Sequence, residues 1–84
     1  YLKPNDKISR NEFCKKLESY SIETRPNMGG CLPDQPGFID RDHRVHGSLK
    51  NARKIRDNAL FIGVHSGLTE ENFKNFSNAL SDIF

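Results

Sequence analysis

The sequence predicts a small α+β domain in which helices pack on one face of a three-stranded sheet. Three stretches carry apolar residues at helical spacing, and short β-prone runs lie between them. The chain has 84 residues, which is enough for one domain at most. Only 35% of those residues are hydrophobic, so we expect a lean core and a thin margin of stability.

Residues 10–20 are predicted to form the first helix. Ser9 and Glu12 have the spacing of a capping box, in which a hydroxyl and a carboxylate bind each other's free backbone N–H groups. Phe13, Leu17 and a tyrosine three positions later then recur on one face of a helix. Both an N-terminal capping box and an apolar face therefore predict this helix.

Three strands are predicted for the sheet. One lies at residues 21–25 and ends at Pro26, which has no N–H group for a ladder. Another lies at residues 60–64, because five consecutive uncharged residues are typical of a buried strand. Residues 1–3 supply the third as a short N-terminal stub.

Two further helices complete the predicted fold. The second begins near Ser48, with its apolar residues facing the core. The last begins after Thr69, whose hydroxyl suits an N-cap, and two glutamates in its first turn suit the helix dipole. We predict that Phe61, Phe73 and Phe76 are core residues.

A long irregular segment lies between the strand at residues 21–25 and the second helix. No period holds in residues 27–47, which contain four of the six glycines. A segment of this length is uncommon in a compact domain and is more often functional than idle. Candidate zinc ligands near it are Cys31, His43, His46 and His65. Structural zinc sites normally bring two closely spaced pairs, so we favour polar loop histidines over a metal site.

The charge and cysteine content argue against several classes of partner. The net charge is +2, from 13 basic and 11 acidic residues. Six basic residues fall within 41–56, but Asp40, Asp42 and Asp57 dilute them and no aromatic residue is interleaved. This pattern favours a solvated face over nucleic-acid binding, with contact to an anionic ligand as the alternative. No apolar stretch is long enough for a membrane span, and two cysteines favour free thiols in a reducing cytoplasm.

Several short motifs follow one another along the chain. In order they are Ile22-Glu23-Thr24-Arg25, Gly29-Gly30, Gln35-Pro36, Leu49-Lys50-Asn51-Ala52 and residues 62–71. Together they resemble the C-terminal domain of the DegT/DnrJ/StrS family of pyridoxal-phosphate-dependent sugar aminotransferases. The similarity covers nearly the whole chain, and within the family it is strongest to the branch of CDP-4-keto-6-deoxyglucose 3-dehydrase.

Two positions depart from the family patterns. Asn27 stands where the aminotransferase branch usually has histidine, which favours the dehydrase branch. Cys31 stands where the dehydrase branch usually has asparagine, so the contact made by that amide is in question.

The resemblance implies that residues 1–84 are the C-terminal small domain of a fold-type I enzyme that works as a homodimer. Such an enzyme uses pyridoxal or pyridoxamine phosphate to remove the 3-hydroxyl of a 4-keto-6-deoxy sugar nucleotide, in lipopolysaccharide or deoxysugar biosynthesis. The catalytic base and the phosphate-binding residues belong to the large domain. We therefore expect this chain to bind no cofactor and to be inert alone, with no catalytic residue of its own.

Three residues are the candidate substrate-binding residues. Arg25 follows from its place at a strand end, where a guanidinium suits an anionic or hydroxyl-rich sugar nucleotide. Gln35 and Asn27 are candidates for hydrogen bonds to the sugar. The alternatives are that Arg25 only pairs with a carboxylate and that Gln35 only ties down its own loop.

Two rival functions remain open at this stage. One is the C-terminal domain of a sugar-nucleotide aminotransferase, and the other is a free-standing binding module without catalysis. The absence of an initiator methionine and the strand-like start favour a piece of a larger enzyme. Exposed apolar surface would favour it too, whereas a stand-alone module should present a polar surface.

Overall fold

The computed structural model describes residues 1–3 and 7–84. In chain order its elements are α1 (Arg10–Ser19), β1 (Thr24–Pro26), a 3₁₀ helix (Leu32–Asp34), α2 (Lys50–Asn58), β2 (Leu60–Ile62) and α3 (Glu70–Ile83). The predicted α+β class is confirmed, and every predicted helix is present near its expected bounds.

The sheet of the described residues has two strands rather than the predicted three. β1 and β2 pair antiparallel, with Arg25 opposite Phe61. Residues 1–3 form no strand. Instead the backbone N–H of Leu2 donates to the carbonyl oxygen of Asn58 at 3.0 Å. The N-terminal stub therefore binds the carbonyl oxygen of the last residue of α2 and adds no strand to the sheet.

The core lies between α1 and α3 and is completed by the sheet. Leu17 is 1% exposed and Phe13 is 7% exposed, as the spacing of α1 predicts, and Ala79 of α3 is fully buried. The partly buried residues packed against this cluster include Ile22, Leu60, Ile62, Phe76, Leu80 and Ile83. These apolar contacts pack α1 against α3, and residues in and beside the two short strands complete the cluster.

Side-chain caps begin both of these helices as predicted. The Ser9 hydroxyl accepts from the backbone N–H of Glu12, whose carboxylate accepts from the Ser9 N–H at 3.0 Å. This hydrogen bond to the Ser9 backbone lowers the pKa of Glu12. Thr69 and Asn72 make the same reciprocal pair at the start of α3, with an amide oxygen in place of the carboxylate.

The assignment of Phe61 and Phe73 to the core is wrong. Phe61 is 42% exposed and Phe73 is 61% exposed, whereas Phe76 packs against the core as predicted. Phe73 lies in the first turn of α3, and the residues of that helix that pack against the core begin at Phe76. The sheet has only three residues in each strand, so it buries little beyond Thr24.

The second helix also departs from its prediction. No residue of α2 is buried, and Ile55 is 44% exposed. The helix therefore does not join the core through an apolar face. It is held in place by polar side chains, which lie at the centre of the candidate site.

Candidate functional site

A tight turn of the long irregular segment lies directly against α2. Gly29 and Gly30 have φ values of +74° and +55°, in the left-handed region that favours glycine. A Cβ atom on Gly30 would lie 3.0 Å from Cγ of Arg56, so any larger residue would need the stem of that arginine to shift. Cys31 follows at 2% exposure, and both cysteines of the chain are free thiols.

One carboxylate joins this turn to α2. Arg53 donates to Asp34 through Nε, 2.9 Å from Oδ2, and through Nη2, 3.1 Å from Oδ1. Arg56 Nη1 donates to the same Oδ2 at 2.6 Å. These hydrogen bonds, led by those from Arg53, lower the pKa of Asp34 to about 2. We call Asp34, Arg53 and Arg56 the Asp34 clamp.

The clamp is connected further to α1. Arg56 Nε donates to Asp57 at 2.8 Å, so one guanidinium lies between two carboxylates. The carbonyl oxygen of Arg56, in the last turn of α2, accepts from Nη1 of Arg10 at 2.6 Å. This contact joins α1 to α2 by a charge-assisted hydrogen bond. The turn, α2 and α1 are thereby linked through polar groups.

Gln35, a predicted substrate-binding residue, ends the same turn. Its side-chain Nε2 donates to the carbonyl oxygen of Gly29 at 2.7 Å, and its backbone N–H donates to Leu32 at 3.0 Å. Among the described residues, no group donates to the Oε1 atom of Gln35. The amide thus ties down its loop and still has a free acceptor.

Arg25 and Asn27, the other predicted substrate-binding residues, lie outside the clamp. The guanidinium of Arg25 pairs with Glu23 and donates to the carbonyl oxygen of Thr24 at 3.0 Å, while the side chain remains 59% exposed. Asn27 is exposed directly after β1. Within residues 1–3 and 7–84, no hydrogen bond or ion pair joins the side chains of Arg25, Asn27 and Gln35.

A groove of about 530 Å³ opens beside the sheet. Its walls include Ser21, Glu23, Val64, His65, Asn72 and Phe73. No arginine or lysine among the described residues lines it, so these residues offer no side-chain cation to an anionic ligand.

The histidines take no part in a metal cluster. Nδ1 of His65 accepts from the backbone N–H of Gly67 at 3.1 Å, so this side chain stabilises the turn between β2 and α3. No group of three His, Cys, Asp or Glu residues could hold a metal ion within the described part of the chain. Over the same residues, no helix is long and apolar enough to cross a membrane.

Reasoning from the sequence missed the Asp34 clamp. It assigned Arg53 and Arg56 to a solvated helix face and gave Asp34 no role. The available signal was the i, i+3 spacing of the two arginines, which places them on neighbouring positions of one helix face. Their partner lies 19 and 22 residues earlier, where no periodicity connects it to α2.

Comparisons with known proteins agree with the resemblance. The chain is 32% identical over 83 residues to the lipopolysaccharide biosynthesis protein RfbH of Salmonella typhimurium, covering 99% of this chain and 19% of that protein. It is 34% identical over 80 residues to GDP-4-keto-6-deoxy-D-mannose 3-dehydratase of Yersinia pseudotuberculosis, covering 94% of this chain and 20% of that protein.

A third relative is dTDP-4-dehydro-2,6-dideoxy-D-glucose 3-dehydratase of Saccharopolyspora spinosa, 30% identical over 64 residues, or 76% of this chain and 14% of that protein. No family model matches the chain. The fold and these matches define an α+β domain that spans at most about a fifth of the length of the curated relatives. The chain is related to the C-terminal region of the DegT/DnrJ/StrS-like 3-dehydratases, which confirms the predicted family and branch.

Proposed function

We propose that residues 1–84 are the C-terminal small domain of a sugar-nucleotide 3-dehydratase. The enzyme removes the 3-hydroxyl of a 4-keto-6-deoxy sugar nucleotide in lipopolysaccharide or deoxysugar biosynthesis. One observation carries this proposal: three relatives match 76–99% of this chain with 14–20% of their own length, and two are named 3-dehydratases. In this proposal the domain closes over the active site and is inert alone.

The exposed apolar side chains support a large partner domain. Val64 is 85% exposed, Met28 is 82% exposed and Phe73 is 61% exposed. The radius of gyration is 16.0 Å, whereas a compact domain of this length has about 12 Å. Exposed apolar surface on an extended chain is typical of an interaction surface, and a free-standing module should lack it. We propose the large domain of the same enzyme as the partner, with a homodimer as the complete assembly.

Pyridoxal or pyridoxamine phosphate is the cofactor of the complete enzyme in this proposal. Because the family resemblance implies that the phosphate-binding residues belong to the large domain, we assign cofactor binding to that domain. The contribution of this chain is then to hold the sugar nucleotide and to cover it. The two free thiols are compatible with a cytoplasmic enzyme.

Arg25, Gln35 and Asn27 are the proposed sugar-nucleotide contacts. The guanidinium of Arg25 is more than half exposed despite its pairing with Glu23, so its remaining N–H groups can meet a diphosphate or a hydroxyl. Gln35 offers its free Oε1, and Asn27 offers an exposed amide. These roles rest on the family resemblance together with the accessibility of each side chain.

The first experiment is to read the coding frame upstream of Tyr1 and to assay the complete protein. We expect a large domain with histidine at the position that binds the cofactor, and loss of the 3-hydroxyl from a 4-keto-6-deoxy sugar nucleotide. Lysine at that position, with amino transfer to the sugar, would show an aminotransferase instead. A start codon directly before Tyr1 would overturn the proposal in favour of a binding module.

A variant of Arg25 tests the proposed contact in the complete enzyme. Arg25→Gln should raise KM for the sugar nucleotide by about tenfold, since a charged hydrogen bond contributes about 1.5–3 kcal/mol and solvent weakens it here. Arg44→Gln is the matched control, because Arg44 is an exposed arginine of the irregular segment with no side-chain partner in the described residues. Equal KM values for the two variants would remove Arg25 from the site.

A further inference from the structure

The turn from Gly29 to Gln35, called the 29–35 turn below, is closed on itself. The Gln35 side chain binds the Gly29 carbonyl oxygen at 2.7 Å and so bridges its two ends. Between them, the N–H of Asp34 donates to the carbonyl oxygen of Cys31 at 3.0 Å. The turn is therefore a small hydrogen-bonded unit, and its position depends on what fixes it to the rest of the domain.

Apolar packing supplies only part of that fixation. Cys31 is buried, but Leu32 is 55% exposed and α2 offers no buried apolar residue to pack against. A segment with so few buried apolar contacts is expected to open easily unless other interactions hold it. The groups that do reach from the turn to α2 are those of the Asp34 clamp.

The geometry of the clamp fixes orientation as well as distance. Both carboxylate oxygens of Asp34 accept from the fork of Arg53, which sets the plane of the carboxylate. Arg56 binds from a second position of α2, one helical turn further on. The Cγ atom of Arg56 also lies 3.0 Å from the position that a Cβ atom on Gly30 would occupy. Three contacts from two helical positions thus define how the turn sits on α2.

Asp34 is the residue directly before Gln35, so the clamp also sets the position of that amide. Because Nε2 of Gln35 is bound to Gly29, the amide can rotate little, and its Oε1 is left as an acceptor. A sugar hydroxyl is a donor that such an oxygen can bind.

We propose that Asp34 is a positioning residue for sugar recognition. By binding Arg53 and Arg56 it holds the 29–35 turn on α2 and fixes Oε1 of Gln35 as the acceptor for a hydroxyl of the substrate. This inference rests on the proposed function, since it needs a hydroxylated sugar as the ligand.

The test uses the complete protein that contains this chain, with its sugar-nucleotide substrate. Asp34→Asn should raise KM by about tenfold with kcat within about twofold, since one neutral hydrogen bond contributes about 0.5–1.5 kcal/mol. Asp57→Asn is the matched control, because Asp57 binds Arg56 but touches nothing in the turn. We expect its KM and kcat to stay within about twofold of the parent values.

A double-mutant cycle separates positioning from general loss of structure. Gln35→Ala should raise KM to about the same extent as Asp34→Asn, and the double variant should be no worse than either single variant. Additive effects, or equal KM values for Asp34→Asn and Asp57→Asn, would overturn the inference.

Hydrogen exchange supplies a second readout that does not need turnover. The backbone N–H groups at positions 34 and 35 should exchange about tenfold faster in the Asp34→Asn variant than in the Asp57→Asn variant. If exchange is unchanged in Asp34→Asn while the parent protein turns over the sugar nucleotide, the positioning role of the Asp34 clamp is overturned and the proposed function stands. If the parent protein turns over no sugar nucleotide, the proposed function fails and the sugar role of the clamp fails with it, even where exchange responds.

Discussion

The two regions of this domain are held together by different interactions. Around α1 and α3, buried apolar residues such as Leu17 and Ala79 form the core. Around α2, no residue of the helix is buried, and the Asp34 carboxylate binds two arginines to hold the irregular segment. The first region depends on non-directional burial, whereas the second depends on the geometry of a few polar groups. Substitutions in the two regions should therefore differ in how much they lower the free energy of unfolding and in how far along the chain their effects extend.

The largest effect is expected from Leu17→Ala in the core region. Leu17 is 1% exposed, and removing a buried leucine side chain lowers the free energy of unfolding by about 2–5 kcal/mol. Leu32→Ala is the control, because Leu32 is 55% exposed in the irregular segment. Urea unfolding followed by circular dichroism measures both. A similar loss for the two leucines would show that the regions do not differ as described.

A smaller effect is expected from Gly30→Ala in the polar region. Alanine would have to adopt the φ of +55° and place its Cβ 3.0 Å from Arg56 Cγ. The left-handed conformation alone costs about 1–2 kcal/mol for a residue with a Cβ, and the contact adds to it. We expect faster hydrogen exchange in the 29–35 turn, with the core amides little changed. Gly37→Ala is the control, since its Cβ meets nothing within 4 Å and its φ is not positive. Equal exchange in both variants would contradict the close fit of the turn on α2.

The contrast also explains how much of the molecule could be predicted from its sequence. The capping box at Ser9 and the spacing of Phe13 and Leu17 predict α1 correctly, because those interactions join residues three or four positions apart. The clamp joins Asp34 to Arg53 across 19 residues, so no local pattern contains it. The N-terminal strand was predicted wrongly for the same reason, since the bond from Leu2 to the end of α2 is long-range.

The candidate site follows the same division. The Gly29-Gly30 step and Gln35 could be identified as short motifs, and the structure shows both within one closed turn. Two residues that were predicted to lie in the core are exposed instead. Phe61 and Phe73 have the residue type of a core, but a two-stranded sheet and the first turn of α3 leave them uncovered. Sequence alone does not say which apolar face a partner covers.

A still smaller effect is expected from Ser9→Ala, which removes the side-chain half of the cap on α1. Loss of a serine N-cap typically lowers the free energy of unfolding by about 1 kcal/mol. Ser77→Ala is the matched control, because Ser77 is exposed within α3 and its side chain makes no hydrogen bond among the described residues. Alanine has the better helix propensity, so this control should be neutral or slightly stabilising. Equal destabilisation of the two variants would show that the cap contributes nothing.

The smallest effect is a pH dependence confined to the polar region. The pKa of Asp34 is lowered from 3.8 to about 2 by its arginine partners. A carboxyl whose pKa is lower in the folded state stabilises that state above its unfolded pKa, and the stabilisation disappears as the carboxyl is protonated.

The stability difference between the parent and Asp34→Asn should therefore be constant from pH 7 to about pH 5 and shrink between pH 4 and pH 2. The difference between the parent and Leu17→Ala contains no titrating group and should not shrink over that window. Urea unfolding across this range measures both differences. If the Asp34 difference stayed constant down to pH 2, its carboxylate would not be holding the irregular segment, and the distinction between the two regions would have to rest on burial alone.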